Sequence, residues 1–217
     1  MTDTTVLIDY GSGNLRSAEK ALIRAASDSS LDRKIIVSSD PNQVRQADRL
    51  VLPGVGAFAD CRKGLLAIDG MRDAIYEHSR TRGNPFLGIC VGMQLLASEG
   101  HEFGIHKGMG WIDGIVKPIH VPPPLKIPHM GWNTLSFSTD GTQHPVAGSL
   151  KDGDHVYFVH SYHMEMTGQD KALATTDYGL PLTAIVGKDN IIGTQFHPEK
   201  SQQAGLDFLA AFLRWSV

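Results

Sequence analysis

A thiol, an imidazole and a carboxylate, at Cys90, His197 and Glu199, form a set from which a covalent hydrolytic site can be built. Gly88-Ile89-Cys90-Val91-Gly92 follows the apolar run Pro85-Phe86-Leu87 and precedes the helix-forming stretch Met93 to Ser98. Strand, tight turn with a nucleophile at its apex, then helix is the geometry of a nucleophile elbow. Glycines two before and two after the thiol let backbones approach where a side chain would clash. A free thiol with pKa of about 8.5 is only a few per cent thiolate at neutral pH, and a helix N-terminus behind it is expected to lower that pKa. Toward the C-terminus, Ile191 to Phe196 reads as a β-branched run ending in His197, Pro198 and Glu199. If the segment stays extended, residues i and i+2 share a face, so His197 and Glu199 converge at a strand end that Pro198 terminates. Each residue alone has a plainer reading: a small buried cysteine, a core histidine, a solvated glutamate. All three at predicted strand ends favour a site.

The elements that must position them alternate in the first half. Strands are expected at Thr4 to Asp9, Lys34 to Val37, Asp48 to Leu52 and Pro85 to Ile89, with helices at Asn14 to Ala26 and Asp69 to Arg82. That alternation implies an α/β fold with an open, mostly parallel sheet covered by helices on both faces. Ligands bind such sheets outside the carboxyl ends of the strands, where Asp9-Tyr10, Pro53-Gly54 and Cys90 fall. The second half is richer in strands: Gly114 to Ile119, Thr134 to Phe137, His155 to Val159, Ala172 to Thr176, Leu182 to Val186 and Asn190 to Phe196. Leu206 to Trp215 is expected to close the chain as an amphipathic helix, Pro122-Pro123-Pro124 with Pro128 reads as a stiff connector, and Thr139 to His144 as a polar turn. With no repeat and no linker of domain size, residues 1–217 read as one domain.

Composition agrees. Across 217 residues, 41% apolar and 20% charged content is that of a globular protein with a substantial core. A net charge of -3 without basic runs argues against a nucleic-acid partner. Two cysteines, Cys61 and Cys90, make no disulfide framework and fit a reducing compartment. The first residues carry Asp3 and enter an apolar strand at once, so neither a signal peptide nor a membrane segment is expected, and the location predicted is cytoplasmic.

Gly-Ile-Cys-Val-Gly-Met-Gln at 88–94 together with Gln-Phe-His-Pro-Glu at 195–199 resembles the class I glutamine amidotransferases. Asp9-Tyr10-Gly11-Ser12-Gly13-Asn14-Leu15-Arg16-Ser17, Leu52 to Phe58, Pro128 to Asn133 and Tyr157 to Tyr162 resemble, within that family, the glutaminase subunits of imidazole glycerol phosphate synthases, which serve histidine biosynthesis. The resemblance runs in order from Asp9 to Ser201. It implies a Cys90-His197-Glu199 triad that hydrolyses glutamine to glutamate and ammonia. An oxyanion hole is implied from the backbone amides of Val91, which follows the nucleophile, and Val55, whose strand Pro53 to Gly56 must reorient to expose it. By position, Gly56, Gln94, Glu102, Ser161 and Tyr162 match the family's glutamine-binding groups. The family also implies a heterodimer with a (β/α)₈ cyclase subunit that receives the ammonia. Ser12, Gly13, Asn14, Met130, Trp132 and Asn133 are the candidate contact residues, with Trp132 as an aromatic anchor. The one departure seen in the elbow is Val91, where leucine is common in the family.

Other constellations are weaker. His160 and His163 would face opposite sides of a strand, and His101 and His106 lack a zinc-like spacing, so no metal is expected. Gly11 and Gly13 lack the third glycine of a dinucleotide loop, whose place is taken by Arg16, and no cofactor is expected. Cys61 reads as packing. Two alternatives remain: a different enzyme on the same elbow, or a binding module with a dead site. The motifs at 9–14 and 129–133 speak against the first, and the intact set of Cys90, His197 and Glu199 against the second.

Overall fold

In the computed structural model, which describes residues 3–217, the apolar runs of the first half become parallel strands. β1 (Asp3–Ile8) lies between β2 (Arg33–Ser38) and β3 (Arg49–Gly54), and β3 pairs in parallel with β4 (Phe86–Cys90). Val6, Leu7, Ile8, Leu50, Val51, Leu52, Phe86 and Leu87 are fully buried. Such unbroken burial belongs to strands covered on both faces, and it explains why these runs are continuously apolar rather than alternating. The crossovers carry α1 (Leu15–Asp28), α2 (Pro41–Gln46), α3 (Phe58–Ala67) and α4 (Met71–Tyr76), while α5 (Val91–Gln94) follows β4 directly.

The second half adds short strands β5 (Glu99–Gly100) and β6 (His106–Lys107), then β7 (Gly114–Pro118), β8 (His129–Thr134), β9 (Ser136–Phe137), β10 (His155–His160), β11 (Tyr162–Met166), β12 (Ala172–Asp177), β13 (Pro181–Lys188) and β14 (Ile191–Thr194). Helices α6 (Thr139–Gln143) and α7 (Gln202–Arg214) complete the chain, α7 packing on α1. The central sheet has eight strands in the order β2-β1-β3-β4-β14-β13-β12-β9. It is parallel from β2 to β14 and antiparallel beyond, so the α/β, mostly parallel expectation holds with an antiparallel extension. A four-stranded sheet, β11-β7-β5-β6, and the pair β10-β8 stand beside it. The registers matter for the site. Gly54 lies opposite Cys90, and Thr194 lies opposite Ile89, so β3, β4 and β14 end side by side.

Several expectations need correction. The helix expected over Asp69 to Arg82 starts at Met71 and widens to a π-turn at Glu77–Thr81, where the Arg82 N–H reaches the Glu77 carbonyl at 2.9 Å. The wider turn carries His78, fully buried, against the Ser79 hydroxyl. The helix expected over Met93 to Ser98 is a single turn at Val91–Gln94. The carbonyls of Leu95, Leu96 and Ala97 accept instead from Met109, Trp111 and Gly110. The strand expected over Thr134 to Phe137 is two strands in different sheets, because Leu135 between them bonds to the turn at Gly153 and Asp154. The strand expected to reach Phe196 ends at Thr194. Beyond it the His197 N–H donates to the Tyr157 carbonyl, and Pro198–Lys200 forms a 3₁₀ turn. The polar turn at 139–144 is helix α6, capped by the Ser138 hydroxyl. Helix α2 was not expected, although Asp40 caps it and Pro41 opens it.

Candidate active site

The elbow is built as glycine spacing demands. Cys90 sits at φ 54°, ψ −112°, a backbone conformation that side chains rarely adopt. A Cβ on Gly92 would lie 1.8 Å from the Leu52 carbonyl oxygen, and one on Gly88 would lie 2.6 Å from the Gly92 carbonyl oxygen. The turn therefore packs backbone on backbone against β3, and the thiol is held at the sheet's carboxyl edge, 4% exposed.

From β14 the chain brings His197 to the same edge. Its Nδ1 lies 2.8 Å from Glu199 Oε1, with both side chains 3% exposed. The two do converge, through the 3₁₀ turn rather than through an extended strand. The Ser201 hydroxyl donates to the His197 carbonyl at 2.7 Å and accepts from the Tyr157 N–H at 3.0 Å, which fixes the turn. With Nδ1 facing the carboxylate, Nε2 is buried without a hydrogen-bond partner. Burial disfavours the charged ring, yet Cys90 and Glu199 together outweigh it and push the His197 pKa up to about 10. The arrangement makes Nε2 a strong proton acceptor beside the thiol.

Both groups open on a cavity of about 330 Å³. Gly56, Gln94, Glu102, Ser161 and Tyr162 all line it, as do Val55 and Val91. Glu102, in the loop between β5 and β6, accepts from the Phe58 N–H at the start of α3 at 2.7 Å through Oε2. Gln94 donates through Nε2 to the Tyr162 carbonyl at 3.1 Å and to Gln195 Oε1 at 2.9 Å. Sequence reasoning missed Gln195, whose Nε2 faces Cys90 Sγ at 3.7 Å. It also missed Lys200 and His160 on the cavity wall. Gln195 stood inside a quoted motif, but nothing in the motif tells which face its side chain takes.

Val55 stands apart from the preset elbow. The Ser12 hydroxyl donates to its carbonyl at 2.6 Å and accepts from its N–H at 3.2 Å, so the Val55 amide is committed away from the thiol. Cys61, inside α3, lies 3.3 Å from the same hydroxyl, and burial pushes its thiol pKa up. Gly13, at φ +108°, packs on Pro53, and Asn14 precedes α1. On β8, Met130 is 64% exposed and Trp132 46%, the latter edge-on to Tyr157 at 6.0 Å. Asn133, half-buried, donates to the Asp177 carbonyl and faces His129. Among the described residues no group of three or more His, Cys, Asp or Glu side chains could hold a metal ion, and no helix is long and apolar enough to cross a membrane.

The sequence profile of the family "Glutamine amidotransferase class-I" matches residues 6–214, nearly the whole described chain. The chain belongs to this family and is a glutamine amidotransferase. Within the family it is 58% identical, over 97% of its length and 98% of the relative's, to "Imidazole glycerol phosphate synthase subunit HisH" of Rhodospirillum rubrum. It is 55% identical to the protein of the same name in Bradyrhizobium diazoefficiens, over 96% of this chain and 97% of that one. The resemblance carried by the motifs at 9–17 and 128–133 is to this same branch. Solved structures share the fold at low identity. The glutaminase domain of Trypanosoma brucei CTPS with bound acivicin has a TM-score of 0.66 at 14% identity, covering 100% of this chain and 96% of that one. A Thermotoga maritima glutamine amidotransferase has a TM-score of 0.59 at 15% identity, covering 92% and 77%.

Proposed function

We propose that the chain is the glutaminase subunit of an imidazole glycerol phosphate synthase, with Cys90 as nucleophile, His197 as base and then acid, and Glu199 holding the imidazole. The observation that carries this reading is a thiol at a strained elbow sharing one cavity with His197, whose ring is backed by the buried Glu199 2.8 Å away. His197 takes the Cys90 proton, the sulfur attacks the side-chain carboxamide carbon of glutamine, and the carbonyl electrons move to oxygen. Collapse of the tetrahedral adduct breaks the carbon–nitrogen bond, and His197 gives its proton to the departing ammonia. Water, deprotonated by His197, then adds to the thioester carbon; the carbon–sulfur bond breaks to release glutamate, and His197 returns the proton to Cys90.

The oxyanion takes hydrogen bonds from the Val91 and Val55 amides, and losing one such donor typically costs about 2.7–4 kcal/mol. Because the Val55 N–H is held by Ser12, the Pro53 to Gly56 strand must turn before the hole is complete. Gly56, at φ +101° with open space around it, makes that turn sterically inexpensive. Gln94, Glu102, Ser161, Tyr162 and Gly56 hold the glutamine, Glu102 facing its ammonium end.

The relatives are named as subunits of a synthase, which supports a (β/α)₈ cyclase partner that takes the ammonia and makes imidazole glycerol phosphate and the aminoimidazole carboxamide ribonucleotide. The exposed Met130 and Trp132, with the Ser12–Asn14 loop and Asn133, are the contact surface of this reading, and docking there turns the Val55 strand. A biosynthetic heterodimer with reduced thiols belongs in the cytoplasm. The test is covalent capture. 6-Diazo-5-oxo-L-norleucine, a glutamine mimic that alkylates thiols, is expected to add once, on Cys90, in wild type, and to be competed by glutamine. Labelling elsewhere, or none in the assembled heterodimer, overturns the assignment.

A further inference from the structure

Two buried histidines outside the triad, His129 on β8 and His160 on β10, make a contact that the mechanism above does not use. His129 Nδ1 lies 3.0 Å from His160 Nε2. His129 is sandwiched between Phe158 and Tyr178, with ring centroids 4.7 and 4.1 Å away and nearly parallel planes, so its ring is held and kept dry. The direction of every bond can be derived from the ends inward. Asn133 donates to the Asp177 carbonyl at 2.8 Å through Nδ2, while its Oδ1 accepts from the Thr134 N–H at 2.8 Å, so the amide has one orientation. Its Nδ2 also faces His129 Nε2 at 3.2 Å, which must then be the unprotonated nitrogen. His129 therefore carries its proton on Nδ1 and donates it to His160 Nε2. His160 is left with its proton on Nδ1, which lies 2.9 Å from the Tyr162 carbonyl, a group that can only accept. Two backbone carbonyls at opposite ends demand the same direction.

The Tyr162 carbonyl also receives Gln94 Nε2, Gln94 Nε2 reaches Gln195 Oε1, and Gln195 Nε2 faces Cys90. We propose that Asn133, His129 and His160 form a one-way hydrogen-bond relay that positions the Tyr162 carbonyl and Gln94, and so the glutamine subsite, from strand β8. The relay cannot conduct protons, because it begins at an amide. It works only while both rings are neutral. A proton added to His160 Nε2 would face the His129 Nδ1–H, and one added to His129 Nε2 would face the Asn133 amide. Burial favours that neutrality, lowering the pKa to about 4 for His129 and about 3 for His160. Strand β8 is the one whose Met130 and Trp132 are exposed, so the relay ties a surface strand to the site.

The role in substrate binding rests on the glutaminase reading, and the experiment separates the two. Long-range ¹⁵N–¹H spectra of the wild-type heterodimer at pH 7.5 are expected to show His129 and His160 neutral with the proton on Nδ1. A proton on Nε2 of either ring overturns the relay whatever the enzyme does. His160→Asn retains a donor near the Nδ1 position, whereas His160→Gln places its amide near Nε2 and leaves the Tyr162 carbonyl without that donor. His160→Gln is expected to raise KM for glutamine about tenfold with kcat changed less, and His160→Asn to stay within about threefold of wild type, as loss of one buried hydrogen bond implies. Equal kinetics of the two folded variants overturn the positioning role while the glutaminase stands. A wild type that hydrolyses no glutamine with its cyclase present overturns the functional reading and with it the subsite role, while the spectra still decide the relay's geometry.

Discussion

The elbow at Cys90 and the segment at Val55, just beyond the end of β3, lie side by side, Gly54 opposite Cys90, yet they are built on opposite terms. At the elbow the glycines are obligatory, because Gly88 and Gly92 sit where a Cβ would strike backbone oxygen at 2.6 and 1.8 Å. Next door, Gly56 has nothing within 4 Å of the place a Cβ would occupy, and Val55 is 44% exposed, held by the Ser12 hydroxyl and by the Cys61 thiol, which donates to its carbonyl at 3.4 Å. One half of the chemistry is locked by packing and the other is latched by hydrogen bonds. A site so divided can keep the proposed nucleophile poised while the proposed oxyanion donor waits for a signal.

The comparison can be broken at its rigid end first. Glu199→Gln removes the charge that holds the imidazole while keeping its shape, and kcat is expected to fall by about 10⁴-fold, as for the comparable carboxylate of serine hydrolases. A loss under tenfold, measured in the assembled heterodimer, would take Glu199 out of the mechanism. Gly92→Ala and Gly56→Ala form a matched pair. The first forces a methyl onto the Leu52 carbonyl and is expected to destabilise the fold by about 3 kcal/mol. The second meets only the strain of φ +101° and is expected to cost about 1 kcal/mol. Equal midpoints in urea unfolding would erase the distinction.

Acidity sharpens it further. His78, His129 and His160 have pKa values depressed to about 3, 4 and 3, below the unfolded value of about 6.5. The unfolded chain then binds more protons, so stability is expected to fall as pH drops from about 6.5 toward 4. His197 acts with the opposite sign: raised to about 10, it contributes fully below about 6.5 and loses its contribution as pH rises toward 10. Thermal unfolding of wild type and His129→Asn between pH 4 and 7 checks this, the variant being expected to show the shallower acid slope. The smallest effect is at the latch. Ser12→Ala removes both serine bonds to the Val55 peptide, including the one on its N–H, and leaves the Cys61 thiol on its carbonyl; the isolated chain is expected to hydrolyse glutamine about fivefold faster than wild type. No rise would mean that the hydroxyl does not hold the strand back.

Much of this was legible in the sequence because it is local. The elbow needs only a strand, two glycines and a thiol within five residues, and the parallel half of the sheet announces itself through fully buried runs such as Leu50 to Leu52. His197 and Glu199 were found as a pair for a reason that proved incomplete, since a 3₁₀ turn rather than an extended strand joins them. The rest depends on long-range placement. Ser12 meets Val55 across 43 residues, His129 meets His160 across 31, and Gln195 meets Cys90 across 105. Nothing in the local pattern of GSGN or HMGWN tells which partner the side chain will find.

The central claim is a Cys90-dependent glutaminase that waits for its partner, and glutamate release from glutamine tests it most directly. Wild type and Cys90→Ala would be assayed alone, then with a (β/α)₈ cyclase subunit and its ribonucleotide ligand. Strong release by wild type only in the full mixture, and none by Cys90→Ala, is the result predicted. Release that survives Cys90→Ala, or an isolated chain as fast as the assembled pair, would contradict it.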